Sequence, residues 1–173
     1  MKLPRLGSAR AGQTGFTLIE MIVVLAITGF IGAAAATAAA LVYREGSRNS
    51  DYTAASQQAM NAVYWISRDA LMAQTVTTNG IDFPLTLVWK GWDSSSNNVT
   101  YKIENNALKR SYSINGAAPQ ETLIAQYING GSGNTICSFN GTVLTVTITA
   151  TVGTGTRAVT VTKEGKIAPR PGL

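Results

Sequence analysis

The sequence predicts an α+β protein in which a long N-terminal helix packs on an antiparallel β-sheet, and three observations carry that reading. From Phe16 to Tyr43 the chain holds a single formal charge, Glu20. From Tyr52 to Ala73 small and apolar residues return every three or four positions, the spacing of one helix face. Beyond Asn79 apolar residues alternate with threonine and other polar residues between turn-forming pairs, which is the period of half-buried strands.

Taken in order, the first apolar tract rises roughly 42 Å as a helix at about 1.5 Å per residue, more than the roughly 30 Å of a hydrocarbon layer. It therefore spans a membrane and continues out of it. Lys2, Arg5 and Arg10 precede it and supply three of the net +5 charges. Basic residues beside a spanning helix stay on the cytoplasmic side, which puts the rest of the chain across the membrane. The positive balance thus belongs largely to the leader and does not argue for nucleic-acid binding. Gly29, Gly32 and Ala33 to Ala36 form a small-residue surface that lets helices approach closely.

Gly46 and the stretch Ser47 to Ser50 predict a bend or short break. The helix then resumes with Tyr52, Ala55, Ala59, Ala62, Ile66, Ala70 and Ala73 on its apolar face and runs to about Thr75. Met60 and Trp65 flank this stripe as core residues, and Arg68 and Asp69 read as a solvated face. "TVTTNG" ends the helix through β-branched residues and an Asn79-Gly80 turn. Strands follow at Leu85 to Trp89, at Val99 to Ile103 paired with Leu108 to Ile114 around Asn105-Asn106, and at Thr122 to Ile128. The last hairpin alternates Leu144, Val146, Ile148 and Ala150 with water-facing threonines, then returns through "GTG" into Val159 and Val161. The tail "KIAPRPGL" reads as irregular.

Several chemistries are excluded by composition. The chain has no histidine, which removes His-based catalytic triads, imidazole proton transfer and His-containing zinc sites. Cys137 is alone, so no disulfide forms within the chain, and a buried small-hydrophobe role is preferred. The carboxylates are scattered without the local spacing of an acid/base pair. "DSSSNN", Asp93 to Asn98, lacks the order of a calcium loop and reads as a polar loop. The sequons at Asn98 and Asn140 read as incidental. Lys102, Lys109 and Arg110 lie near Tyr101 and Tyr112 on the predicted hairpin, so single-stranded nucleic acid is a candidate ligand there, set against a plain solvated sheet face. No enzymatic activity, metal or cofactor is expected.

The carboxylate inside the apolar tract needs its own explanation. A plain signal anchor or a cleaved secretory signal, for which "GAAAATAAA" offers cleavage sites, gains nothing from Glu20. A charge inside a spanning helix costs about 2.5 to 3.5 kcal/mol at its centre and marks a function. A third reading cuts the chain between Gly15 and Phe16. That cut creates an α-amino group on Phe16, one helical turn before Glu20.

"GFTLIE", Gly15 to Glu20, behind a basic leader and ahead of about twenty apolar residues, resembles the class III signal of type IV pilins and pseudopilins. The resemblance implies that a prepilin peptidase cuts after Gly15 and that Phe16 becomes N-methylated. It further implies that Glu20 neutralises the amine of a neighbouring subunit during filament assembly. It divides the chain into a leader (1–15), a membrane and assembly half of the helix (16–43), an amphipathic half (44–78) and a sheet part (79–173). The partners implied are the peptidase, other pilin subunits and an inner-membrane assembly platform. The location implied is a single pass through the inner membrane with the C-terminal part outside, then the filament. "YWISRDALMAQTV" and the following hairpin are similar to minor subunits of the PulJ and PilW type. The expected role is therefore a minor pilin or pseudopilin in a tip or priming complex, with a major shaft subunit and a DNA-uptake pilin as alternatives.

Overall fold

The structure is a computed structural model that describes residues 15–131 and 133–170; the leader before Gly15 lies outside the described residues. A helix, α1 (Leu18–Met72), is followed by β1 (Thr75–Asn79), β2 (Asp82–Lys90), β3 (Ser96–Glu104), β4 (Ala107–Ile114), β5 (Gln120–Ala125), β6 (Ile136–Phe139), β7 (Leu144–Val152) and β8 (Val159–Ile167). The chain divides into two compact units at Glu45/Gly46, and each is described by itself.

In the first unit every described residue is exposed, including Phe16, Leu25 and Phe30. Apolar side chains in that state need lipid or other helices around them. The two threonines in the middle of the tract are already satisfied, Thr28 Oγ1 donating to the Val24 carbonyl at 2.7 Å and Thr37 Oγ1 to the Ala33 carbonyl at 2.9 Å. Neither hydroxyl needs a partner from its surroundings, which suits a helix in hydrocarbon. Helix α1 is long and apolar enough to cross a membrane.

The break expected at Gly46 to Ser50 is not seen, and these residues are helical within α1. One glycine and a few serines cost roughly 0.5 to 1 kcal/mol each relative to alanine, too little to interrupt a helix that propagates from both sides.

In the second unit α1 buries Ala55, Ala59, Ala62, Ile66, Asp69 and Ala70, with Ala73 just beyond its end. The stripe therefore starts one turn later than expected, because Tyr52 is exposed. Met60 also faces solvent, whereas Trp65 packs against the core. Asp69 corrects the sequence reading most: it shares the buried face with Ile66 and Ala70 and is only 2% exposed. The helix ends at Met72, and Thr75 to Asn79 form β1 against β2 in place of a last helical turn. Their β-branched side chains suit a pleated edge better than a helix terminus.

The strands form two antiparallel sheets, one ordered β1-β2-β3-β4-β5 and one ordered β6-β7-β8. Asn105 and Asn106 both have positive φ, 51° and 58°, which makes the β3–β4 connection a two-residue hairpin turn and sets Val99 opposite Tyr112, Tyr101 opposite Arg110 and Ile103 opposite Leu108. Leu85, Leu87, Val99, Tyr101 and Leu108 of the larger sheet and Leu144, Val146, Ile148 and Ala150 of the smaller one join the helix alanines in one core. The threonine face of β7 is not wholly in water. Thr149 is buried, its hydroxyl donating to the Asn134 carbonyl at 2.6 Å while its N–H donates to Thr135 Oγ1 at 3.0 Å. The tail begins later than expected, since Lys166 and buried Ile167 still belong to β8.

Small residues bring α1 and β8 close together. A Cβ added to Gly165 would lie 2.9 Å from Val63 Cγ1 of the helix. Gly165→Ala is therefore expected to lower the stability of this unit by about 1 to 3 kcal/mol, the usual cost of overpacking. Urea denaturation followed by tryptophan fluorescence measures it, and an unchanged midpoint would refute the close approach.

Candidate functional site

Thr17 is the last residue before the helix, and Glu20 is the third residue inside it. The Glu20 N–H donates to Thr17 Oγ1 at 3.3 Å, the Thr17 hydroxyl lies 3.5 Å from Glu20 Oε2, and the first helical bond runs from the Met21 N–H to the Thr17 carbonyl at 3.2 Å. This is half of a capping box: a threonine oxygen satisfies an orphan N–H of the first turn, while the glutamate three residues on reaches back to the threonine hydroxyl. The carboxylate also sits at the positive end of the helix dipole, a favourable place for an anion. Sequence reasoning took Glu20 as an assembly contact and passed over its partner, although Thr-x-x-Glu ahead of an apolar run was readable.

Gly15 and Phe16 precede the cap. A Cβ on Gly15 would meet nothing within 4 Å, and Phe16 is 77% exposed. Among the described residues no contact requires glycine at position 15, and an amine created at Phe16 would stand immediately before the capping threonine.

The other charged cluster is structural. Asp69 Oδ2 accepts from the Tyr101 hydroxyl and from Arg110 Nε, both at 2.6 Å, while Arg68 Nε lies 3.8 Å from Oδ1. The Arg110 guanidinium lies 4.9 Å from the Tyr112 ring centroid and 5.6 Å from that of Trp65, and the Tyr112 hydroxyl donates to Asn97 Oδ1 at 2.6 Å. Burial, with the Asp69 charge beside it, pushes the Tyr101 phenol far above its ordinary range, so it remains a donor. Among the described residues no buried side-chain nitrogen or oxygen lacks a partner. The cluster fastens α1 to β3 and β4 and leaves no group free for chemistry.

Lys102, Lys109 and Arg110 do not form one surface. Consecutive residues of a strand point to opposite faces, so Arg110 turns inward to Asp69 while Lys109 turns outward. Lys102 and Lys109 sit directly opposite each other, and Glu104 lies between them at 3.1 Å and 2.8 Å; Lys102 also reaches Glu121 at 2.7 Å. The hydrogen bonds from Lys109 and Lys102 hold the Glu104 carboxyl below its usual range. Each cation therefore has a carboxylate of its own chain, and the predicted patch is electrically compensated.

Cys137 is fully buried on β6, and its thiol donates to the Asp82 carbonyl at 3.2 Å. Burial, aided by the Asp82 charge, pushes its pKa up to about 12. The thiol is inert at neutral pH. In the loop between β2 and β3, Asp93 Oδ1 accepts from the Ser95 N–H at 3.0 Å, a local turn. Among the described residues no group of three or more histidine, cysteine, aspartate or glutamate side chains is placed to hold a metal ion.

An exposed apolar helix that opens on a glutamate-containing cap, joined in sequence to a unit of helix on antiparallel sheet, is an α+β, pilin-like arrangement. Residues 10–36 match the family described as the prokaryotic N-terminal methylation motif. This motif is the class III prepilin signal, and over these residues the chain is similar to type IV pilins and pseudopilins. The signal implies processing by prepilin peptidase and assembly with other pilins, the work of a structural subunit. No curated protein and no solved structure matches the chain.

Proposed function

We propose that this chain is a minor pilin or pseudopilin that enters a type IV pilus or a type II secretion pseudopilus through its N-terminal helix, within a tip or priming complex. The observation that carries the proposal is the placement of Glu20, the one carboxylate of an otherwise apolar and wholly exposed helix half, at its first turn. In lipid that charge is costly. Beside the α-amino group of an adjoining subunit it becomes half of an ion pair. The retained glutamate argues against the outermost tip position, whose subunits in the family often lack it. The single buried cysteine leaves the soluble unit without the disulfide that many shaft subunits carry, which argues for a minor role.

On this reading the peptidase cuts between Gly15 and Phe16, and Phe16 carries the methyl group. Gly15→Ala is expected to leave the leader attached, abolishing processing by more than about tenfold, because even a methyl at the scissile bond must fit the protease site. Intact-mass spectrometry of the membrane protein reads this directly, and normal cleavage would refute the assigned bond. Subunit stoichiometry in purified filaments tests the minor role: a trace component is expected, and an abundant one overturns it. The compensated lysines give the nucleic-acid alternative no support.

A further inference from the structure

Sheet edges invite the addition of a foreign strand because they leave a row of backbone N–H and C=O groups without partners. β5 is such an edge, with β4 on one side and no strand on the other among the described residues. Its sequence adds to the hazard. "TLIAQYI", Thr122 to Ile128, contains no charge, proline or glycine and is rich in β-formers, the composition of segments that stack into cross-β structure. Leu123 within it is 52% exposed.

Helix α1 reaches this edge with two amides. Asn61 Nδ2 donates to the Ile124 carbonyl at 2.6 Å, and Gln58 Oε1 accepts from the Gln126 N–H at 2.8 Å. The register to β4 shifts at Ile124, which has no partner there, and Gln126 follows the end of β5, so both groups turn away from β4 and are taken by the helix. Gln58 and Asn61 are three residues apart and therefore neighbours on the helix surface. One supplies an acceptor and the other a donor, which is what an adjoining strand would supply.

We infer that Gln58 and Asn61 are edge guards, and that β5 without them pairs with β5 of a second copy of this chain. A second copy suits the edge because an antiparallel pair centred on Leu123, within β5, sets Glu121 against Ala125, so no like charges oppose one another. The inference concerns the soluble unit and does not rest on the assembly role of Glu20.

The test uses the full chain in detergent micelles, with mass followed by light scattering across a concentration series. The double variant Gln58→Ala/Asn61→Ala is expected to at least double its protein mass as concentration rises, while the wild type does not. Adding Leu123→Pro, which removes an outward N–H and no ladder bond because Leu123 lies opposite Lys109, whose backbone groups face β3, is expected to restore the wild-type mass. A double variant that keeps the wild-type mass throughout overturns the inference, as does association that Leu123→Pro leaves intact. If circular dichroism shows the double variant to be unfolded, Gln58→Ala alone decides by the same readings, since it frees only the Gln126 N–H.

Discussion

Glu20→Ala is expected, on the assembly role proposed for it, to reduce incorporation of the chain into filaments by about a hundredfold or more while the helix-and-sheet unit stays folded. Removing one partner of a buried ion pair costs about 3 to 5 kcal/mol, and each 1.4 kcal/mol is tenfold in an equilibrium. The same substitution also removes the carboxylate from the helix cap, which is worth about 0.3 to 1 kcal/mol at the dipole. Thr17→Val separates the two effects, because it breaks the cap at a cost of roughly 1 kcal/mol and leaves the charge in place. The ratio of subunit in sheared filaments to subunit in membranes, read by immunoblot, is the measurement. Equal incorporation of Glu20→Ala and wild type would sink the charge-pairing mechanism, and equal loss in both variants would assign the effect to the helix cap.

The second large effect is expected at Asp69. Asp69→Ala leaves the Tyr101 hydroxyl and the Arg110 guanidinium without their shared acceptor, and Arg110 becomes a poorly hydrated cation between helix and sheet. The cost is about 3 to 5 kcal/mol, a large part of the roughly 5 to 15 kcal/mol that holds a domain of this kind together. Asp69→Asn preserves the shape and loses only the charge, so its cost is smaller. The triple exchange Asp69→Leu, Tyr101→Phe and Arg110→Met is expected to recover most of the loss, since it removes every group that needs a partner. Urea denaturation measures all three variants. If Asp69→Ala shifts the midpoint no more than an exposed substitution does, the buried cluster contributes nothing to stability.

Much of this architecture was legible in the chain because burial repeats with the period of the element. The alanine stripe, the Asn105-Asn106 turn and the β7–β8 alternation are local patterns, and each maps onto one residue face. Asp69 was not legible: its partners lie 32 and 41 residues away, and a lone aspartate beside an arginine looks the same whether solvated or locked. β1 and β6 were missed because a short edge strand takes its conformation from the strand it joins rather than from its own composition. Lys109 and Arg110 show the opposite case, since strand parity alone separates adjacent residues and could have been applied to the sequence. At the N-terminus the motif was plain, and the threonine that holds the glutamate's turn was readable from its spacing although the sequence reading passed over it.

The enclosed thiol of Cys137 has a practical consequence. With its sulfur shut away on β6 and its proton held to about pH 12, the native cysteine will not compete with a cysteine introduced elsewhere for maleimide or for an oxidative crosslinker. Neighbour contacts between assembled subunits can therefore be mapped by single-cysteine scanning along the exposed side of α1, at positions such as Thr53 or Gln57, in the otherwise unaltered protein.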